Sequence, residues 1–281
     1  MRADQLLVQR RLASTRAQAQ RMIAAGVQWD QAGVWKTVSK NGDDLPEDAV
    51  LQLLDAARDR YVSRGGLKLE GALRDCALDV TGWACLDVGQ STGGFTDCLL
   101  QHGAARVLGV DVGQGQLHPS LRDDERVLGL EKINARSLTA DELLQQIEET
   151  TDEPEVFTVD VEAGFDLIVG DLSFISQTLV LPALVPLLKP EGALLMLVKP
   201  QFELQPGQVG KGGIVRDATL YAFVEQRIRD CLAELGLEVR HWLESPIQGG
   251  DGNREFFVHA GQTKATRSAR ALSSSDEKDT S

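Results

Sequence analysis

A mainly parallel α/β domain preceded by a small α+β unit is the fold class this sequence predicts, on three observations. From residue 84 onward, apolar strand-like runs alternate with helical stretches, the pattern of a parallel sheet covered on both faces. "LDVGQSTGGFTD" (86–97) passes from strand to glycine-rich turn to helix start, an order that usually holds a nucleotide-like ligand. The first 25 residues read instead as two short amphipathic helices, followed by strand candidates too short for the main sheet.

Composition bounds the reading. The 281 residues are 42% apolar and 25% charged, values that fit a globular chain with a sizeable core. No apolar run reaches the ~18 residues of a membrane-spanning helix, and "MRADQLLVQRR" lacks the apolar core of a signal peptide, so a cytoplasmic protein is expected. Cys76, Cys85, Cys98 and Cys231 show no CxxC spacing and read as reduced core residues. The net charge of -13 argues superficially against a nucleic-acid partner, but the charge is uneven. Arg2, Arg10, Arg11, Arg16 and Arg21 face the single acid Asp4 in residues 1–25, whereas residues 147–166 hold eight acids and no base, as a solvated insertion would.

In chain order, "ADQLLVQRRLASTRAQAQRMIAAG" carries the helix pair, with Ser14 or Thr15 as N-cap of the second helix and Gly26 as its stop. "VQWD", "VWKTV" and "AVLQLL" are strands, and "NGDDLPED" is turn material. Residues 1–57 thus form one unit and 58–66 a linker containing Arg64. Residues 67–260 form the sheet domain, and 261–281 a polar, disordered tail. Within the domain the strands are "ACLDVG", "RVLGVDVG", "FDLIVGDLSF", "ALLMLVKPQF", "EVRHWLESP" and "REFFVHA", with "VLGLEKINAR" following the second. The helices are the stretch from Leu67, "FTDCLLQHGA", "TLVLPALVPLLK" and "LYAFVEQRIRDCLAELG".

The glycine loop discriminates among ligands. It has no GK[ST] for a phosphate loop, and Ser91 stands where a dinucleotide loop needs glycine. Gly89 with Gly93-Gly94, behind Asp87, suits the S-adenosylmethionine loop of Rossmann-like methyltransferases. Asp111, ending the next strand, can accept ribose hydroxyls. Another nucleotide, or a purely structural turn, remains open on the loop alone. Strand ends carry ligands in such sheets, and here they offer Asp171, Lys199 and Glu255, with Lys68 on the preceding helix.

The opening "RADQLLVQRRLASTRAQAQRMIAAGVQ" with "NGDDLPEDAVLQL" resembles the S4 RNA-binding domain. Lys68, Asp171, Lys199 and Glu255 match the Lys-Asp-Lys-Glu tetrad of FtsJ-like ribose 2′-O-methyltransferases. With "YVSRGGLKLEGAL", "DLSFIS", "GQVGKGGIVRD" and "GNREFF", the chain resembles the TlyA family. Departures are Gln90, where a small residue is common, and the acidic stretch before Asp171.

The resemblance implies 2′-O-methylation of cytidine in ribosomal RNA within ribosomal subunits. S-adenosylmethionine is the expected cofactor, with no obligatory metal and a monomer or weak dimer. It implies cofactor contacts from Asp87, Gly89, Ser91, Thr92, Gly93, Gly94, Phe95, Asp111, Val112, Asn134 and Asp171. RNA contacts are expected from Arg2, Arg10, Arg11, Arg16, Arg21, Arg64, Lys211 and Phe174, the last stacking on a base or packing in the core. Lys199 is the expected general base, with Lys68 and partial burial favouring its neutral amine and the two carboxylates orienting the groups. The rival reading is an RNA-binding assembly factor with little turnover. Family members have also been labelled hemolysins, but no apolar segment here is long enough for a membrane.

Overall fold

The structure, a computed structural model, describes residues 1–10, 12–13, 15–31, 33–53, 60–151 and 159–262, and leaves out the side chains of 17, 18, 21, 24, 25 and 53. It divides into two compact units, Met1–Leu67 and the chain from Lys68 onward. The division falls one residue into the domain expected from 67. Arg11, the acidic residues 152–158 and the tail beyond Gln262 lie outside the described residues.

In the first unit, α1 (Ala3–Gln9) and α2 (Arg16–Gly26) precede β1 (Val27–Gln31), β2 (Val34–Thr37) and β3 (Leu51–Leu53). The strands form an antiparallel sheet in the order β2-β1-β3. Leu6 and Leu7 from α1 meet Ala19, Met22 and Ile23 from α2, the 3–4-residue spacing that puts side chains on one helical face. The Thr15 carbonyl accepts from Ala19 N at the start of α2, and Gly26, at φ +125°, ends it.

α3 (Gly65–Asp75) crosses the division, and the second unit continues with β4 (Ala84–Val88), α4 (Gly94–Gln101) and β5 (Arg106–Asp111). Then come α5 (Pro119–Arg122), β6 (Val127–Glu131), α6 (Ala140–Thr150), β7 (Phe165–Gly170), α7 (Leu181–Leu184) and β8 (Leu188–Val198). α8 (Pro200–Glu203), α9 (Thr219–Glu234), β9 (Leu237–Glu244) and β10 (Phe256–Gln262) complete it. One sheet runs β6-β5-β4-β7-β8-β10-β9, with β10 antiparallel to both neighbours and the remaining pairs parallel. The chain adds β5 and β6 on one side of β4, then crosses to β7 on the other. The switch point, where ligands bind in open sheets, is therefore the end of β4.

Three expectations change. "TLVLPALVPLLK" forms two turns of 3-10 helix around the four-residue α7 rather than one helix. Pro182 and Pro186, four apart, each remove a backbone donor. β8 therefore begins at Leu188, and Phe165 pairs with Leu188 before the register shifts to Leu167↔Ala193. The acidic stretch 147–166 is not a solvated insertion at its ends. Ile147 is buried beside Leu143 on α6, and Val161 and Phe165 are also buried. α6 is capped by Thr139, whose side chain accepts from Glu142 N. Finally, β10 extends through Gln262, past the expected boundary at 260. The cysteines are free, with Cys76, Cys85 and Cys98 buried, as a reduced core requires.

Candidate active site

The loop after β4 is built by backbone geometry. Gly89, at φ +81°, runs against the Asp171 carbonyl; an added Cβ would lie 3.1 Å from it. Gly93, at φ +94°, turns the chain into α4, and a Cβ there would meet Leu121 at 2.4 Å. Ser91 takes φ +48° without being glycine, and its N–H donates to Asp111 Oδ2 at 2.8 Å. Gly113 N donates to Asp111 Oδ1 at 2.7 Å, so this carboxylate ties the loops after β4 and β5 together. Glu131, paired with Asp111 in the sheet, repeats the device by accepting from Gly115 N at 2.6 Å. Thr92 receives the His118 N–H on its carbonyl.

Gln90, unexplained by sequence, fills a gap. Gly109 of β5 and Gly129 of β6 pair in register, and the buried Gln90 side chain lies over both. A Cβ on Gly109 would stand 2.0 Å from its amide, and one on Gly129 2.8 Å. Gly109→Ala should therefore cost about 1–3 kcal/mol through overpacking. Gln90→Ala in the same chain should recover most of that in urea denaturation; additive losses would contradict this packing.

Gln90 Nε2 donates to Thr96 Oγ1 at 2.9 Å, and Thr96 donates from both N and Oγ1 to Asp87 Oδ2, at 3.0 and 2.7 Å. The other oxygen of Asp87 is buried with no partner. Burial, opposed by the Thr96 bonds and reinforced by Asp171 and Asp111, pushes the Asp87 carboxyl up to about 7. An acid raised in the folded state binds its proton more tightly there. Stability is thus lost as pH rises from the ordinary carboxylate value of about 4 toward 7. Asp87→Asn removes that dependence. Its melting temperature should match wild type near pH 4 and exceed it increasingly up to pH 7; a constant offset would contradict the assignment.

A cleft of about 680 Å³ opens beside this loop, lined by Ser91, Asp111, Gly113, Gln116 and Glu131 among others. Asp87, Asp111 and Asp171, at three neighbouring strand ends, make the switch point acidic. An unpartnered buried carboxylate oxygen and a lysine-free glycine loop suit a cationic ligand over a phosphate. The residues present therefore fit S-adenosylmethionine, which carries a sulfonium and an ammonium. Val112 is exposed beyond Asp111, and Asn134, also exposed, caps the turn Ala135–Ser137. Phe95 differs from expectation: it is buried and stacked on Phe257 at 6.0 Å between centroids, so it packs the core. Gly94 is the buried first residue of α4. Thr96, the contact to Asp87, was not anticipated; its position in the first turn of α4, within reach of a strand-end acid, is the signal that could have found it.

The four expected catalytic residues form two ion pairs. Lys199 Nζ lies 2.6 Å from Asp171 Oδ1 and donates to Ser173 Oγ at 2.7 Å. Lys68 Nζ lies 2.6 Å from Glu255 Oε2, with side-chain exposures of 8% and 3%. Lys68 is thus not the exposed helical lysine its local sequence suggests. Its charge is engaged by Glu255. Sheet order explains the clustering. β7, β8 and β10 are adjacent; Asp171 follows β7, Lys199 follows β8, and Glu255 precedes β10. Phe256 pairs with Val198, so Glu255 and Lys199 stand opposite one step further, roughly 5 Å apart in backbone. Glu255 Oε1 packs where a Cβ on Gly249 would come within 2.6 Å, so that neighbour must stay small.

Asn253, quoted in the sequence but given no role, pins the adjoining loop. It accepts from Val215 N at 2.9 Å and donates to Gly213 O at 2.9 Å. "GQVGKGGIVRD" is therefore anchored through Val215, which is buried, while Lys211 stays exposed. Phe174 is not core: it is 90% exposed at φ +64°, its ring centroid 5.0 Å from that of Phe202.

In the first unit several expected RNA-binding arginines have structural partners. Arg2 and Arg16 both hold the buried Asp4, Arg2 through Nε at 3.0 Å and Arg16 through Nη2 at 2.8 Å. These partners keep the Asp4 carboxyl far below its usual range. Arg10 donates to the carbonyls of Ala49 and Glu47. Arg64 is exposed, and the Arg21 side chain lies outside the described set.

Residues 61–262 match the FtsJ-like methyltransferase family. The chain is 42% identical over 273 residues to the 16S/23S rRNA (cytidine-2′-O)-methyltransferase TlyA of Mycobacterium tuberculosis, covering 97% of this chain and 92% of that protein. It is 34% identical to Hemolysin A of Brachyspira hyodysenteriae, covering 92% of this chain and 99% of that protein. A solved structure from Streptococcus thermophilus, described as a candidate hemolysin, shares 38% identity with a TM-score of 0.66. That alignment covers 94% of this chain and 89% of that one. Among the described residues no helix is long and apolar enough to cross a membrane. By its match across most of its length and by these relatives, the chain belongs to the FtsJ-like methyltransferase family and to the TlyA group within it.

Proposed function

We propose that the chain transfers a methyl group from S-adenosylmethionine to the 2′-hydroxyl of cytidine in ribosomal RNA. One observation carries the reading: two lysine–carboxylate pairs converge from adjacent strand ends beside an acidic, glycine-walled cleft. The TlyA relative's activity supports the nucleotide and the RNA class. An RNA substrate of this kind also makes the cytoplasm the expected compartment.

S-adenosylmethionine, when bound, supplies a methyl group made electrophilic by its sulfonium. The chain's own residues do the rest. Asp111 and the Gly89–Gly93 turn fix the cleft wall, while Ser173 and Asp171 hold the Lys199 amine. Lys199 takes the hydroxyl proton, and Glu255 with Lys68 orients the ribose. General-base help of this kind contributes about 10²–10⁴-fold, with positioning supplying much of the remainder. Phe174 offers an exposed ring for a base turned out of its helix.

The first unit is proposed as the S4-like RNA-binding part. Arg10, Arg16 and Arg2 contribute to folding and leave part of their side chains for phosphate. Incubating tritiated S-adenosylmethionine with each ribosomal subunit should label ribosomal RNA. Absence of label from both subunits would overturn this reading and favour an assembly factor.

A further inference from the structure

We propose that Cys76, His241 and His259 form a binding site for a zinc-class divalent cation, separate from the methyl-transfer site. His241 on β9 and His259 on β10 stand directly opposite in register. Their rings are parallel within 10° and their Nδ1 atoms lie 3.0 Å apart. Cys76 follows the end of α3 and is buried. One donor atom from each of the three lies within 4.8 Å of the other two.

Donor chemistry selects the ion. Two imidazoles and a thiolate suit zinc or cobalt and exclude magnesium and calcium, which take oxygen ligands. Tetrahedral bonds of about 2.0–2.3 Å place donors roughly 3.3–3.8 Å apart, so side-chain movements of about 1 Å close the site around an ion. Three protein ligands leave a fourth position for water, and half-buried His241 gives it access to solvent.

The metal-free arrangement is unsatisfied. His259 is only 3% exposed, and its Nε2 has no hydrogen-bond partner. Whichever ring nitrogen carries the proton, a buried polar atom stays unpaired, which costs about 1–3 kcal/mol, and a metal relieves this by coordinating through Nε2. Coordination by Cys76 must release its thiol proton to solvent. Arg240 opposes a cation; the thiolate charge formed on binding offsets it.

The position adds a consequence. α3 also carries Lys68, and Glu255 immediately precedes β10. Counting along each element, the cluster lies about 12–14 Å from that pair. A metal here would tie the end of α3 to the middle of β10, two elements whose starts lie at the active site.

The test uses chelator-stripped, reduced full-length protein titrated with Co²⁺ without oxygen. One equivalent should bind with a thiolate-to-cobalt charge-transfer band. Cys76→Ser should abolish the band, and His241→Gln, at a half-buried position, should weaken uptake without disturbing the core. Cys98→Ser should leave it intact; Cys98 lies 3.7 Å from His102 Nδ1 and is the alternative thiolate. Zinc should raise the melting temperature of wild type but not of Cys76→Ser. No stoichiometric uptake, or a band that survives Cys76→Ser or vanishes with Cys98→Ser, overturns the proposal.

Discussion

Lys199→Ala should lower the methyl-transfer rate by about 10²–10⁴-fold, the usual contribution of a positioned general base, while S-adenosylmethionine affinity by calorimetry stays unchanged. The expectation rests on a side chain that ends a buried strand, is fixed by Asp171 at 2.6 Å and Ser173 at 2.7 Å, and starts α8 with Pro200 behind it. Truncation removes the amine but leaves the glycine loop and Asp111 in place, so the loss should fall on turnover rather than cofactor binding. Lys199→Arg separates two roles. Arginine preserves the charge but does not give up its proton in proteins, so it should not restore turnover if Lys199 is the base. Recovery with arginine would make Lys199 an electrostatic anchor. Full activity of Lys199→Ala would remove it from the mechanism.

Lys68→Met should destabilise the second unit by about 3–5 kcal/mol, because it strands the Glu255 carboxylate in a buried setting. The double variant Lys68→Met/Glu255→Leu should fold with about wild-type stability in urea, since replacing both buried charges with apolar groups is often neutral. It should nevertheless be inactive. This contrast distinguishes a pair retained for chemistry from one retained for folding. Wild-type turnover in the double variant would make the pair structural. A double variant as unstable as Lys68→Met would show that the stranded charge is not the cause of the loss.

Much of this site was legible in the sequence because strand ends announce themselves. Asp171, Lys199 and Glu255 each adjoin an apolar run, and a parallel sheet brings such positions to one edge. The pairing was not legible. Which lysine meets which carboxylate depends on β7 lying beside β8 and on α3 reaching Glu255, contacts 28 and 187 residues apart. Gln90 was opaque for the same reason: its role requires two glycines, 109 and 129, to be neighbours in register. The packing of Phe95 was not legible because an aromatic at a helix start beside a glycine loop reads equally as ligand contact or core, and its ring partner Phe257 lies on a distant strand.

α6 was hidden by charge. Counting acids from 147 obscured the four-residue spacing of Leu143 and Ile147, which buries one face of an acidic helix. The basic opening hid a second role. Counting arginines in residues 1–25 did not show that buried Asp4 recruits Arg2 and Arg16.

The most direct measurement of the central claim is nucleoside analysis of ribosomal RNA labelled by this chain with S-adenosylmethionine, using Lys199→Ala as the control. The account predicts label in 2′-O-methylcytidine, recovered as an alkali-resistant dinucleotide because the methylated 2′-oxygen cannot attack its phosphate. Label on a base carbon or base nitrogen, or on the 2′-oxygen of a nucleotide other than cytidine, would contradict it.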